Sequence, residues 1–175
     1  ILPSKLGFIL KNSTPLTSGF ILQDKKISSF DETWKPVWGE VSQIRNQYNE
    51  LLVTLEQTKQ NRYMKIRFRL FDDGLGFRYE FDRQPELSYF QVSDECTEFA
   101  LSGDHKAFWI PGDYDTNEYF YTTTRLSEVN ADRTDGSGIG THGYFAKNAT
   151  QTPLMMKTDD GLYINIFEKK VKFVK

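Results

Sequence analysis

Apolar and polar residues alternate with a period of two along much of this chain. The cleanest case is Met64-Lys65-Ile66-Arg67-Phe68-Arg69-Leu70. In an extended strand that order puts Met64, Ile66, Phe68 and Leu70 on one face and Lys65, Arg67 and Arg69 on the other. Asp72-Asp73-Gly74 follows as a turn signal, and Leu75-Gly76-Phe77-Arg78-Tyr79-Glu80-Phe81 alternates again. The pattern predicts an antiparallel hairpin around Asp73-Gly74, with Phe77, Tyr79 and Phe81 facing inward and Arg78 and Glu80 outward. A second hairpin is predicted from Leu154-Met155-Met156-Lys157 through Thr158-Asp159-Asp160-Gly161 into Leu162-Tyr163-Ile164-Asn165-Ile166-Phe167. Leu51–Glu56 is a further strand. Shorter candidates are Leu6–Leu10, Gly19–Leu22, Phe90–Val92, Glu98–Leu101, Ala107–Ile110 and Tyr119–Leu126. No run sustains helical periodicity, and Val41–Tyr48 has room for one helical turn at most. Many short strands divided by turn signals indicate an all-β sandwich or barrel.

Ser127 to Thr150 differs in texture. It is rich in Gly, Ser, Asn and Thr, and is expected to be a long mobile surface loop. Composition supports the β reading: Phe (14) and Tyr (9) dominate the aromatic residues, and such rings suit pleated, half-buried surfaces. A chain of 175 residues fits one domain spanning 1–175. With 22 basic and 24 acidic side chains the formal charge is −2, which gives no electrostatic reason to expect nucleic acid as a partner. No apolar stretch reaches the length of a membrane span, so no membrane partner is expected. Cys96 is the single cysteine, which excludes an intrachain disulfide and the cysteine-based zinc patterns, and it reads as a small packed side chain. The chain opens Ile1-Leu2-Pro3, and no leader is expected within it.

The two histidines, His105 and His142, lie in no recognisable nucleophile or metal-ligand context and read as ordinary loop residues. The basic outer face of Lys65, Arg67, Arg69 and Arg78 has two readings. It is an anion site or, as ordinary strand patterning favours, a solvated or salt-bridged sheet face. The segment Trp109–Tyr119 offers more chemistry. Asp113, Tyr114, Asp115 and Glu118 sit beside Trp109 there, and aromatics next to carboxylates supply what a sugar site needs: a flat face for C–H groups and acceptors for hydroxyls. The alternative is a turn whose aromatics pack into the edge of the sandwich. Trp34-Lys35-Pro36-Val37-Trp38 is a second aromatic cluster, expected to form a rigid corner against the core rather than a platform for a ring.

Taken in order, several segments resemble the N-terminal domain of family 97 glycoside hydrolases. They are Trp34-Lys35-Pro36-Val37-Trp38-Gly39-Glu40, Arg45-Asn46-Gln47-Tyr48-Asn49-Glu50, the Arg67–Glu80 hairpin, Phe108-Trp109-Ile110-Pro111-Gly112-Asp113-Tyr114-Asp115, Thr152-Pro153-Leu154 and Asp160–Asn165. The resemblance covers nearly the whole chain. It implies an antiparallel β-super-sandwich of the galactose-mutarotase-like kind, lacking its first strands and its C-terminal part. In the complete enzymes that sandwich packs against a (β/α)₈ barrel.

Members of the family hydrolyse α-glucosides or α-galactosides, so the resemblance implies an oligosaccharide or α-glucoside as substrate, with the periplasm as location. It also implies calcium in the full-length enzyme, bound by carboxylates mostly on the barrel. One ligand would come from the position matching Glu168. Phe167 and Lys169-Lys170 depart from the family pattern there, and one carboxylate cannot satisfy an ion that takes about six to eight oxygens. No calcium is therefore expected on this chain alone. The catalytic acid, base or nucleophile would also lie on the barrel, so no catalytic residue is assigned here. Two alternatives remain: a self-contained sugar-binding module, and an aldose mutarotase with His105 or His142 as the acid.

Overall fold

The computed structural model describes residues 1–113, 116–131 and 145–168. Strands dominate, and no α-helix occurs among the described residues. All strand pairing among the described residues is antiparallel. The chain condenses into two compact units, one of residues 4–99 and the other of 1–3 with 100–175.

In the first unit, β1 (Phe8–Leu10) pairs with β6 (Val92–Glu95). A four-stranded sheet runs β2 (Phe20–Trp34), β3 (Ile44–Gln57), β4 (Arg62–Leu70), β5 (Leu75–Glu80) in spatial order. The β4–β5 hairpin forms as its alternation predicts, with Leu70 opposite Leu75 and the Phe71 amide donating to the Gly74 carbonyl. Met64 and Ile66 are buried with Leu10, Leu16 and Leu87, and Phe68, Phe77, Tyr79 and Phe81 pack against them. β2 is far longer than the Gly19–Leu22 expected. It lies at the edge of the sheet and carries a bulge between Leu22 and Asp24.

Several other expectations also change. Val41–Tyr48, which had room for one helical turn at most, is strand from Ile44 onward, because each of Ile44 to Tyr48 has a cross-strand partner on β2. The sixth strand starts at Val92 and ends at Glu95, and Glu98–Leu101 is not a strand. The expected corner of Trp34 and Trp38 does not pack on a core: Val37 is 99% and Trp38 87% exposed.

The outer face of the sheet settles the two readings of its basic residues. Arg67 grips Glu80 with two hydrogen bonds of 2.6 and 3.0 Å and also bonds Glu50. Arg69 reaches Glu50 at 2.8 Å, Arg78 reaches Glu80 at 2.6 Å, and Lys65 pairs with Asp82. The face is a salt-bridge lattice. Each of its four cations is held by one or two of three carboxylates, Glu50, Glu80 and Asp82, which favours the salt-bridged reading of the face. The hydrogen bond from Arg67, opposed by burial and reinforced by Arg78, holds Glu80 down at about 2. Burial alone pushes Glu50 up, and the bonds from Arg69 and Arg67 more than reverse it.

A buried polar clamp closes the same unit. Arg62 donates to Gln57 and to the Thr14 carbonyl at 2.8 Å, while Gln57 donates to the Pro15 and Ser18 carbonyls at 2.9 and 2.7 Å. These bonds satisfy a segment that has almost no backbone ladder of its own. Gly7 sits nearby with φ of +112°, and a Cβ there would lie 2.0 Å from the Leu16 carbonyl oxygen. Its amide donates to the Tyr79 hydroxyl at 3.0 Å, and its carbonyl accepts from the Cys96 amide at 2.8 Å.

In the second unit, β7 (Lys106–Trp109) sits between β9 (Thr122–Arg125) and β11 (Leu154–Lys157), which pairs in turn with β12 (Tyr163–Ile166). β8 (Pro111–Asp113) pairs with β10 (Phe145–Thr150). The 127–150 loop expectation therefore fails at its C-terminal end, where the backbone of Phe145–Thr150 finds partners on β8. Its middle, residues 132–144, lies outside the described residues, as does His142. The core here is Ala107, Trp109, Ala131 and Met156.

Two outcomes follow. Gly7→Ala is both strained and blocked by backbone, and should cost on the order of 3 kcal/mol or more, read as a lowered denaturation midpoint. Glu80 has a folded pKa of about 2 against an ordinary 4.5. Its contribution is therefore fully present above pH 4.5 and is lost as pH falls toward 2. Thermal melts of Glu80→Gln and the unsubstituted chain should differ at neutral pH and converge in acid. A constant gap across that range would contradict the assignment.

Candidate functional site

The strongest cluster of candidate residues lies on the second unit, where β7 runs through β8 into the segment leading to β9. Trp109 ends β7 facing inward. It is 2% exposed, and its indole N–H donates to the Thr124 hydroxyl at 3.0 Å. A ring enclosed in that way has no face free for a sugar, so the expected role of Trp109 as a stacking platform is corrected to a core role. Alternation explains the burial, since Ala107 and Trp109 are two apart on one strand and both are buried.

Asp113 is 6% exposed and ends β8. Its carboxylate accepts the Tyr119 hydroxyl, and its carbonyl accepts the Gln151 side-chain amide. Gln151 also reaches the Thr116 carbonyl at 3.4 Å, and its backbone amide donates to Ile110 at 3.1 Å. Gln151 thus stitches both sides of the segment, a role that no local motif announces. Gly112 lets β8 approach β10 closely, since a Cβ there would stand 2.8 Å from that of Ala149. Asp113 is therefore bound up in holding the segment.

Glu118 is exposed, and its amide donates to the Thr116 hydroxyl at 3.1 Å. Phe120 and Tyr121, which follow it directly, each leave about two thirds of their surface in solvent. Among the described residues of this segment these two rings are the open aromatics, and they lie just beyond Trp109–Tyr119. Tyr114 and Asp115 lie outside the described residues. Glu168 is exposed, beside exposed Phe167. Among the described residues no three His, Cys, Asp or Glu side chains come together as a metal site. The donor set present does not fit calcium: Glu168 offers one carboxylate, and the cation needs several more oxygens. His105 is half-buried in a loop, its carbonyl accepting the Leu126 amide at 2.9 Å.

Residues 1–173 match a family model described as the N-terminal region of glycosyl-hydrolase 97. The chain belongs to that family. A retaining α-galactosidase of Bacteroides thetaiotaomicron is 27% identical over 139 residues, which are 75% of this chain and 20% of the relative. Among solved structures, a family 97 enzyme of a Pseudoalteromonas species, determined with panose and with acarbose, is 30% identical with a TM-score of 0.77. The match covers 93% of this chain and 22% of the enzyme. A β-arabinopyranosidase at 19% identity and TM-score 0.73 shares the fold. This family 97 N-terminal chain thus spans about a fifth of the length of the α-galactosidase and the Pseudoalteromonas enzyme.

Trp109→Ala should lower stability by about 3–5 kcal/mol through the cavity it leaves, measured by urea denaturation. An unchanged midpoint would return Trp109 to the surface role.

Proposed function

We propose that this chain is the N-terminal β domain of a longer α-glycosidase acting on α-glucosides, and that it shapes the enzyme without breaking the bond itself. The disposition of its carboxylates carries this reading. Glycoside hydrolysis needs two carboxyl groups flanking one bond. Here Asp113 is buried and engaged by Tyr119, while Glu118 and Glu168 lie exposed. The glucoside preference draws support from the relative solved with panose, and the α-galactosidase relative marks the competing substrate. In this reading Glu168 lends one carboxylate to a cation whose other ligands belong to the longer polypeptide.

A second reading, a sugar-binding surface on the chain itself, is favoured by adjacent open rings at Phe120 and Tyr121 beside Glu118. It is distinct from catalysis and has its own readout.

With calcium present, the 175-residue chain should release no aryl group from α-glucosides or α-galactosides above a heat-killed control. The longer polypeptide should turn over the α-glucoside faster than the α-galactoside. Turnover by the short chain, or none by the long one, would overturn the proposal. Calorimetry with millimolar maltotriose addresses the second reading: heat that disappears in Tyr121→Ala supports it, and no heat ends it.

A further inference from the structure

The free end of the β2–β3 ribbon is built unlike the rest of the sheet. β4 pairs with β3 only from Asn49 to Gln57, yet β2 and β3 continue pairing from Phe30 opposite Tyr48 out to Trp34 opposite Ile44. At about 3.3 Å per residue the ribbon extends roughly 16 Å beyond its last rung with β4. A two-stranded ribbon alone in water is marginal, but this one is braced. Phe30 and Tyr48 stack at its base with centroids 5.2 Å apart, and the Arg69 guanidinium covers the Tyr48 ring at 4.3 Å. Further out, Arg45 and Asp31 join through two hydrogen bonds of 2.9 and 2.6 Å. The bracing holds out an end that exposes Trp34, Val37, Trp38 and Val41 together.

A soluble surface tolerates single exposed apolar residues, but a group at the tip of a projecting ribbon marks a contact. Two tryptophans alone bring roughly 300–500 Å² to an interface. We propose that this tip is a docking arm whose occupant is the part of the longer polypeptide lying outside this chain. The inference rests on the proposed N-terminal role and gives it a specific point of contact. Three arguments select that occupant. The relatives carry about four fifths of their length outside the matched region. A tethered partner acts at an effective concentration of roughly millimolar, which a second copy in dilute solution does not reach. Val37 and Val41, both aliphatic and exposed beside the rings, suit an apolar protein surface.

Val37 is the side chain to probe, because it makes no packing contribution at 99% exposure. Val37→Cys, with Cys96→Ser to silence the native thiol, is placed in the longer polypeptide and in the 175-residue chain. Thiol labelling should be about tenfold or more slower in the longer polypeptide, as expected where surrounding contacts exclude water. Trp38→Ser should restore the fast rate. Hydrogen exchange over residues 35–43 of both unsubstituted proteins makes the same comparison without substitution. Equal rates in the two proteins would overturn the proposal. So would protection that appears only as protein concentration rises, which indicates a second copy, or only on adding panose, which indicates a sugar. Turnover of α-glucoside by a longer polypeptide whose arm stays fully reactive would sink the arm and leave the proposed function standing.

Discussion

Arg67 is the hinge of the outer sheet. Its guanidinium is shared between Glu50 on β3 and Glu80 on β5, so one side chain ties three strands across the outer face. Without those carboxylates Arg67 and Arg78 would confront one another directly, since the register sets them opposite. Like charges in that position repel. Glu80, bonded to both, turns the clash into a lattice and fixes the register that places Met64 and Ile66 on the other face. A slip of one residue would expose that core and separate the charges at the same time.

The parts of the fold legible in the sequence are those where a single strand carries its own signal. Met64–Leu70 and Leu75–Phe81 announce both faces, and the Asp-Gly turn announces the hairpin. The long β2 was not legible, because Phe20–Trp34 interrupts its alternation with a bulge and with a polar run from Gln23 to Lys26. Its identity as a strand comes from pairing with β3, a relation between distant residues. Trp34 and Trp38 misled for a related reason. A tryptophan beside a proline usually has a core to meet, and the ribbon carries these two past the sheet that would have covered them.

The candidate site divides in the same way. Residue types between Trp109 and Glu118 identified a chemically rich segment, but type alone does not separate a ring facing inward from one facing out. Period two along β7 makes that separation, burying Trp109 with Ala107, while Phe120 and Tyr121 beyond the segment remain open. Gln151 was invisible to any local motif, since its partners lie about forty positions back. Family membership rests on the match over residues 1–173, which no individual segment could have provided.

The open edge of β2 has a consequence for how these molecules behave toward each other. A long strand with one open edge invites edge-to-edge pairing with neighbours, and fibril-forming segments usually need about six or seven consecutive residues of high β-propensity and low charge. Along Phe20–Trp34 the uncharged stretches stop at four, Phe20–Gln23 and Ile27–Phe30, cut by Asp24-Lys25-Lys26 and by Asp31-Glu32. Charge spaced in this way divides the exposed ribbon into stretches shorter than such segments require.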